Sequence, residues 1–288
     1  MYLYICKLHN EELKYPSQRY TNNDNPEFTG QKIMTIYLFS VQQEQRFSIS
    51  RIYDFADQYL RLWFPALPTY QAFSNRLNRL SEAFKAVAAH SFSAFTPSEC
   101  ELDICLLDSM PIIICSGKRK AKVATEITDK GYCSTKSLYC CGLKLHALAF
   151  SRSKQLPFPE QVVITPASEN DLNVFKQDRS NVPNRTFFGD KIYNDIDFFK
   201  NLAINANGTM LTSVKGIKGQ LEVIKQGDKA ANDLFSTAVS TIRQSIESLF
   251  NCLIVKTDIQ RASKARFTRE SLVHVFGEIA AAFISLVF

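Results

Sequence analysis

The octapeptide Cys105-Leu106-Leu107-Asp108-Ser109-Met110-Pro111-Ile112 closes a short apolar run, Leu102 to Leu107, on an acid. A run of that length reads as a buried strand, which puts Asp108 at a strand end. Phe187-Phe188-Gly189-Asp190-Lys191-Ile192-Tyr193 repeats the arrangement with a second apolar run and a second aspartate. A third acid, Glu247, lies in Arg243-Gln244-Ser245-Ile246-Glu247-Ser248-Leu249-Phe250 on a long amphipathic helix. Phe235, Ala238, Val239, Ile242, Ile246, Leu249, Phe250 and Leu253 form its apolar stripe, with Arg243 and Glu247 at the edge. Two strand ends and one helix can aim three carboxylates at one point, and such a cluster suits a hard divalent cation.

Taken singly, each acid has a plainer role. An aspartate at a strand end is most often a turn or cap residue. Glu247 alone is most simply the i,i+4 partner of Arg243, worth about 0.2–0.5 kcal/mol. Asp103 rivals Asp108 for the first position, but five residues separate them, so strand alternation turns them to opposite faces. Leu102, Ile104 and Leu106 share the parity of Asp108, which favours Asp108 as the end of a core-facing row.

Outward from these acids, Ser137 to Phe150, Gln161 to Thr165, Thr186 to Gly189 and Thr209 to Val214 read as strands. Asn170 to Gln177 and Asp195 to Ile204 read as helices. The order describes a mixed α/β sheet flanked by helices. The first part of the chain is different. Ile33 to Phe39 is apolar, Ser48 opens a helix over Ile49 to Trp63, and Thr69 caps a third helix carrying Phe73, Leu77, Leu80, Phe84 and Val87. The stretch Ser91 to Cys100 loses helical spacing, so residues 1–95 are expected to form an all-α N-terminal domain and 96–288 the α/β domain.

At 288 residues and 45% hydrophobic content the chain can bury a substantial core. Thirty-four Lys plus Arg against 28 Asp plus Glu leave a charge of +6, a mild basic bias compatible with a polyanion. The eight cysteines contain no C-x-x-C pair, which argues against a zinc ribbon; several lie in apolar runs, as expected of thiols in a reducing cytoplasm. Ile279 to Phe288 is too short an apolar run to cross a bilayer and reads as a core helix, so no membrane association is expected.

Charge is concentrated in three places. Lys118, Arg119, Lys120 and Lys122 form the densest basic run, just after the first aspartate; Arg76, Arg79 and Lys85 flank the third helix; Lys144 and His146 alternate with apolar residues in a strand. Each can be a solvated face or a contact to DNA phosphates, and Arg243 can pair with an acid or with a phosphate. Asp171 reads first as the cap of the helix beginning at Leu172.

The three acidic contexts occur in order with Tyr139-Cys140-Cys141-Gly142-Leu143-Lys144-Leu145-His146, Leu156-Pro157-Phe158-Pro159-Glu160 and Ile164-Thr165-Pro166-Ala167-Ser168-Glu169-Asn170-Asp171-Leu172. In that order they resemble the DDE transposases of bacterial insertion sequences over nearly the whole chain. The separations, 82 residues from Asp108 to Asp190 and 57 from Asp190 to Glu247, leave room for the intervening elements of that fold. The resemblance implies a ribonuclease-H-like catalytic domain behind a helical DNA-binding domain. Asp108, Asp190 and Glu247 are then the catalytic and metal-binding triad, Mg2+ or Mn2+ the cofactor, and Arg76, Arg79, Lys118, Arg119, Lys120, Lys122, Lys144 and Arg243 the candidate DNA contacts. It also implies the element's terminal repeats and target DNA as partners, a homodimer on the paired ends, and a place at the bacterial nucleoid. The chain departs from the pattern at Ser240, where a tyrosine precedes the Arg243–Glu247 pair in the family, at the displaced Lys256, and at Cys140-Cys141 in place of aromatic residues. A nuclease of the same fold and a decayed DNA-binding remnant are the competing functions.

Overall fold

In the computed structural model, which describes residues 1–18, 26–44, 48–118, 123–133, 136–178, 182–214, 222–263 and 265–285, the chain opens with helices. These are α1 (Tyr2–Leu8), α2 (Gly30–Glu44), α3 (Ile49–Tyr59), α4 (Tyr70–Leu77) and α5 (Ser81–Ala94). The α/β part then runs β1 (Glu101–Ser116), β2 (Asp129–Cys133), β3 (Leu138–Ser151), β4 (Phe158–Pro166), α6 (Asp171–Asp178), β5 (Thr186–Gly189), α7 (Ile196–Ala206) and β6 (Thr209–Thr212). Three helices close the chain: α8 (Glu222–Arg243), α9 (Ser245–Thr257) and α10 (Thr268–Ile284).

The chain divides into two compact units. Residues 1–95, 112–143 and 252–288 make the first, and residues 96–111 and 144–251 the second. β1 and β3 each contribute residues to both.

In the first unit the caps form where Ser and Thr invite them. The hydroxyl of Ser48 accepts from the Arg51 amide at the start of α3, and that of Thr69 accepts from the Ala72 amide at the start of α4. The single helix expected to carry Phe73 through Val87 is interrupted by a 3-10 turn over Asn78–Leu80, although all five apolar residues are buried. Spacing of apolar residues survives a one-turn tightening, so periodicity could not reveal the break. α10 packs on α5 and α2, and almost every residue along it is buried. Gly277 lets the Tyr37 ring lie against α10, where a Cβ would come within 2.5 Å of Cε1. The Tyr37 hydroxyl donates at 3.3 Å to Oε1 of Glu278, which is fully buried.

The six-stranded sheet has the order β2-β3-β1-β5-β6, with β4 paired to β3. β2 and β3 run antiparallel, whereas β1, β5 and β6 are parallel neighbours. Parallel neighbours need crossovers, and α7 supplies the one from β5 to β6. Within the second unit Cys105, Leu107, Leu148, Phe150, Phe175, Phe187, Tyr193, Leu202, Ala206 and Met210 form one core, with Phe175 edge-on to Phe187 at 4.9 Å. This is the mixed, helix-flanked sheet of the ribonuclease-H-like class, with a helical region before it.

Two further local expectations need correction. β1 does not stop at Leu107 but runs through Asp108 to Ser116, because Met110, Ile112 and Ile114 resume a buried alternation beyond the Asp-Ser pair. The long helix around Glu247 is two helices, broken at Gln244. The Ser245 hydroxyl donates back to the Ile242 carbonyl at 2.9 Å, a local bond that competes with the helical ladder. The apolar stripe divides accordingly: Val239, Ile246, Leu249, Phe250 and Leu253 are buried, while Phe235, Ala238 and Ile242 are exposed.

Candidate active site

Asp108 and Asp190 are brought together by strand register. β1 pairs with β5 through Ile104–Thr186, Cys105–Phe187 and Leu106–Phe188, an offset of 82 residues. Asp108 lies two residues beyond the last paired position of β1 and Asp190 two beyond that of β5, so both acids leave the β1–β5 pair at the same end. Asp190 follows the last residue of β5 directly. Its Oδ1 accepts from the Ile192 amide at 2.8 Å and caps the 3-10 turn Lys191–Tyr193. Gly189 allows that turn to fold back, since any Cβ there would meet the Tyr193 ring at 2.7 Å.

Glu247 joins from the first turn of α9 by way of Arg243, the last residue of α8. Arg243 Nη1 donates to Asp108 Oδ2 at 2.7 Å and Nη2 to Glu247 Oε1 at 2.8 Å. The other oxygen of Asp108 accepts from the Ser109 amide at 2.8 Å. Arg243 and Asp108 are mostly buried and Glu247 is 57% exposed. Burial raises the Asp108 carboxyl most, and the negative charges of Asp190 and Glu247 add to it. The Ser109 amide and Arg243 oppose them without prevailing, so its pKa is pushed up to about 6.

A second polar cluster lies beside the first. Lys144 Nζ and His146 Nδ1 stand 3.3 and 3.2 Å from Oδ1 of Asp171, at the start of α6. His146 Nε2 and the Thr165 hydroxyl are hydrogen bonded at 2.8 Å, and Lys144 donates to the Glu169 carbonyl at 2.6 Å. Burial raises the Asp171 carboxyl, but the hydrogen bond from His146, the charges of Lys144 and His146 and the hydroxyl of Ser109 outweigh it and leave the group below its usual range. Asp171 is therefore an ion-paired member of the site region as well as the first residue of α6. Asn170, one residue earlier, caps that helix by accepting from the amides of Leu172 and Asn173.

Tyr193 is almost fully buried and feels the charges of both clusters. Burial first, then the charges of Asp171, Asp108 and Asp190, hold its phenol well above the ordinary range, so it stays neutral. Sequence reasoning passed over Tyr193, Ser109 and Thr165. The only linear signal for them was their closeness to Asp190, Asp108 and Asp171.

The remaining candidates are dispersed. The Arg76 guanidinium donates to the Phe28 carbonyl at 2.8 Å within the first unit. Arg79 and Lys118 are exposed, as Asp103 is. Arg119, Lys120 and Lys122 lie outside the described residues.

The donor chemistry of Asp108, Asp190 and Glu247 suits a hard divalent cation, and the raised Asp108 marks a place where added positive charge is favourable. Arg243 bridges two of them, Asp108 and Glu247. Among the described residues no three His, Cys, Asp or Glu side chains stand close enough to hold a metal ion.

The mixed, helix-flanked sheet has the ribonuclease-H-like architecture, with Asp108 on β1, Asp190 just after β5 and Glu247 on α9. Residues 99–286 match the model of the transposase DDE domain, and the chain belongs to that family. Its members are transposase or nuclease-type enzymes that act on DNA and generally use divalent metal. No curated protein and no solved structure matches the chain. No helix among the described residues is long and apolar enough to cross a membrane.

Proposed function

We propose that this chain is the transposase of a bacterial insertion element, cutting the element's ends and joining each freed 3′ hydroxyl to target DNA. The observation that supports this reading is that Asp108 and Asp190 follow the paired residues of β1 and β5 at the same end, with Glu247 tied to Asp108 through Arg243. Magnesium or manganese, when bound, activates the attacking oxygen and stabilises the leaving one. Asp108, Asp190 and Glu247 are the residues that would hold it, the two aspartates from the sheet and the glutamate from α9. Tyr193 keeps a neutral phenol beside them, adding no charge to an already acidic site.

In this reading residues 1–95 recognise the ends and 96–288 carry the chemistry. Arg79, Lys118, Arg119, Lys120, Lys122 and, once released from its acids, Arg243 contact phosphates; Arg76 and Lys144 brace their surroundings. Two protomers pair the ends at the nucleoid.

The test is cleavage and joining of labelled DNA carrying the element's terminal repeats, with magnesium or manganese, by the native chain and by Asp190→Asn. Native protein should nick and join, while the variant binds and loses at least about 100-fold in both steps. Cutting without joining would make the chain a nuclease of the same fold. Binding without cutting by the native protein would make it a decayed remnant.

A further inference from the structure

A cation already joins two of the carboxylates assigned to the metal. The fork of Arg243 gives one nitrogen to Asp108 at 2.7 Å and another to Glu247 at 2.8 Å. With the Ser109 amide on Oδ1, both oxygens of Asp108 are engaged. Arg243 is the last residue of α8 and a single residue, Gln244, separates it from α9.

We propose that Arg243 couples engagement of the DNA backbone to metal loading. Without DNA its guanidinium holds Asp108 and Glu247, two of the residues that would hold the divalent cation; a DNA phosphate draws it away and frees both carboxylates. The chemistry of exchange is favourable, because guanidinium pairs with phosphate in the same two-pronged geometry it uses with carboxylate. Asp108, Asp190 and Glu247 without a cation would repel one another, so the site is always served by one positive group or another. By linkage, DNA must then raise metal affinity and metal must raise DNA affinity by one factor. The benefit is that metal-dependent cleavage is confined to a chain already holding its substrate.

The inference rests on the metal-dependent reading above, and the experiment separates the two. Mn2+ binding to the full chain is measured by electron paramagnetic resonance without DNA, for native protein, Arg243→Gln, Asp190→Asn and the double variant, with circular dichroism to verify folding. Arg243→Gln should bind Mn2+ about tenfold tighter than native, a coupling within the usual roughly 5–150-fold range, and adding Asp190→Asn should abolish that gain. Duplex DNA carrying the terminal repeats should tighten Mn2+ binding by native protein and scarcely alter it for Arg243→Gln.

If folded Arg243→Gln binds Mn2+ no tighter than native while Asp190→Asn weakens binding, the coupling is wrong and the metal reading stands. If no form binds Mn2+ even with DNA, the metal reading fails and takes the coupling with it. Should Arg243→Gln not fold, Arg243→Lys keeps the charge but loses the fork. An intermediate gain supports the proposal, and affinity equal to native overturns it.

Discussion

His146 Nδ1 and Asp171 Oδ1 face each other at 3.2 Å, with Lys144 Nζ 3.3 Å from the same oxygen. An acid that a strand and a helix N-terminus bring against two basic side chains is an anchor for that end of the second unit.

Asp171→Asn should therefore destabilise the chain by roughly 3 kcal/mol at neutral pH, since it strips a mostly buried ion pair of its anion. The Asp171 carboxyl lies below its ordinary value when folded, so its contribution is full above about pH 4 and is lost as pH falls through the folded value. Urea unfolding at neutral and strongly acidic pH measures this. A penalty that is the same at both would refute the ion-pair account.

Asp108 has the opposite sign. Folding raises its pKa from 3.8 to about 6, so the folded chain holds that proton more tightly than the unfolded one. The stabilisation from the protonated form is complete below about pH 4 and disappears as pH rises through about 6, a loss of at most about 3 kcal/mol. Asp108→Asn should remove this slope. Thermal unfolding of both chains across that window should show curves that diverge as pH rises; parallel curves would contradict the shift.

Glu278 tests the first unit. Burial first of all raises its carboxyl well above the usual value, against the opposing hydrogen bond from Tyr37, and its Oε2 has no hydrogen-bond partner among the described residues. The protonated acid is stable in place, and stability is lost as pH rises from the unfolded value toward the folded one. Glu278→Gln keeps the shape and cannot ionise, so its melting temperature should exceed that of native protein increasingly toward alkaline pH. A variant less stable at every pH would show that the acid itself is needed.

Gly142 on β3 has no room for a side chain, because a Cβ there would overlap the Ile112 carbonyl oxygen. Backbone cannot yield as a side-chain tip does, so Gly142→Ala should cost about 2–4 kcal/mol. Chemical denaturation measures the loss, and a change under about 0.5 kcal/mol would mean that β1 and β3 readily part at this point.

Much of the sheet was legible because its signals are local. The apolar run before Asp190 predicted β5 with its observed bounds, and Ser48, Thr69 and Asp195 stand at the caps of α3, α4 and α7. Motif order pointed to the family that the match over residues 99–286 then established. Apolar spacing continues across the breaks at Asn78–Leu80 and Gln244 and cannot reveal them, and the Asp-Ser pair in β1 has the look of a strand end although the strand runs on.

Residue identity and spacing were enough to set the class of fold and to single out three acids as the candidate site. Which positive group stands there, and which other residues share the site, depended on contacts between positions 135 apart, as for Arg243 and Asp108, or 25 apart, as for Lys144 and Glu169. Periodicity and capping act within a turn or two of chain, whereas strand register and the reach of a guanidinium are settled only when distant segments pack.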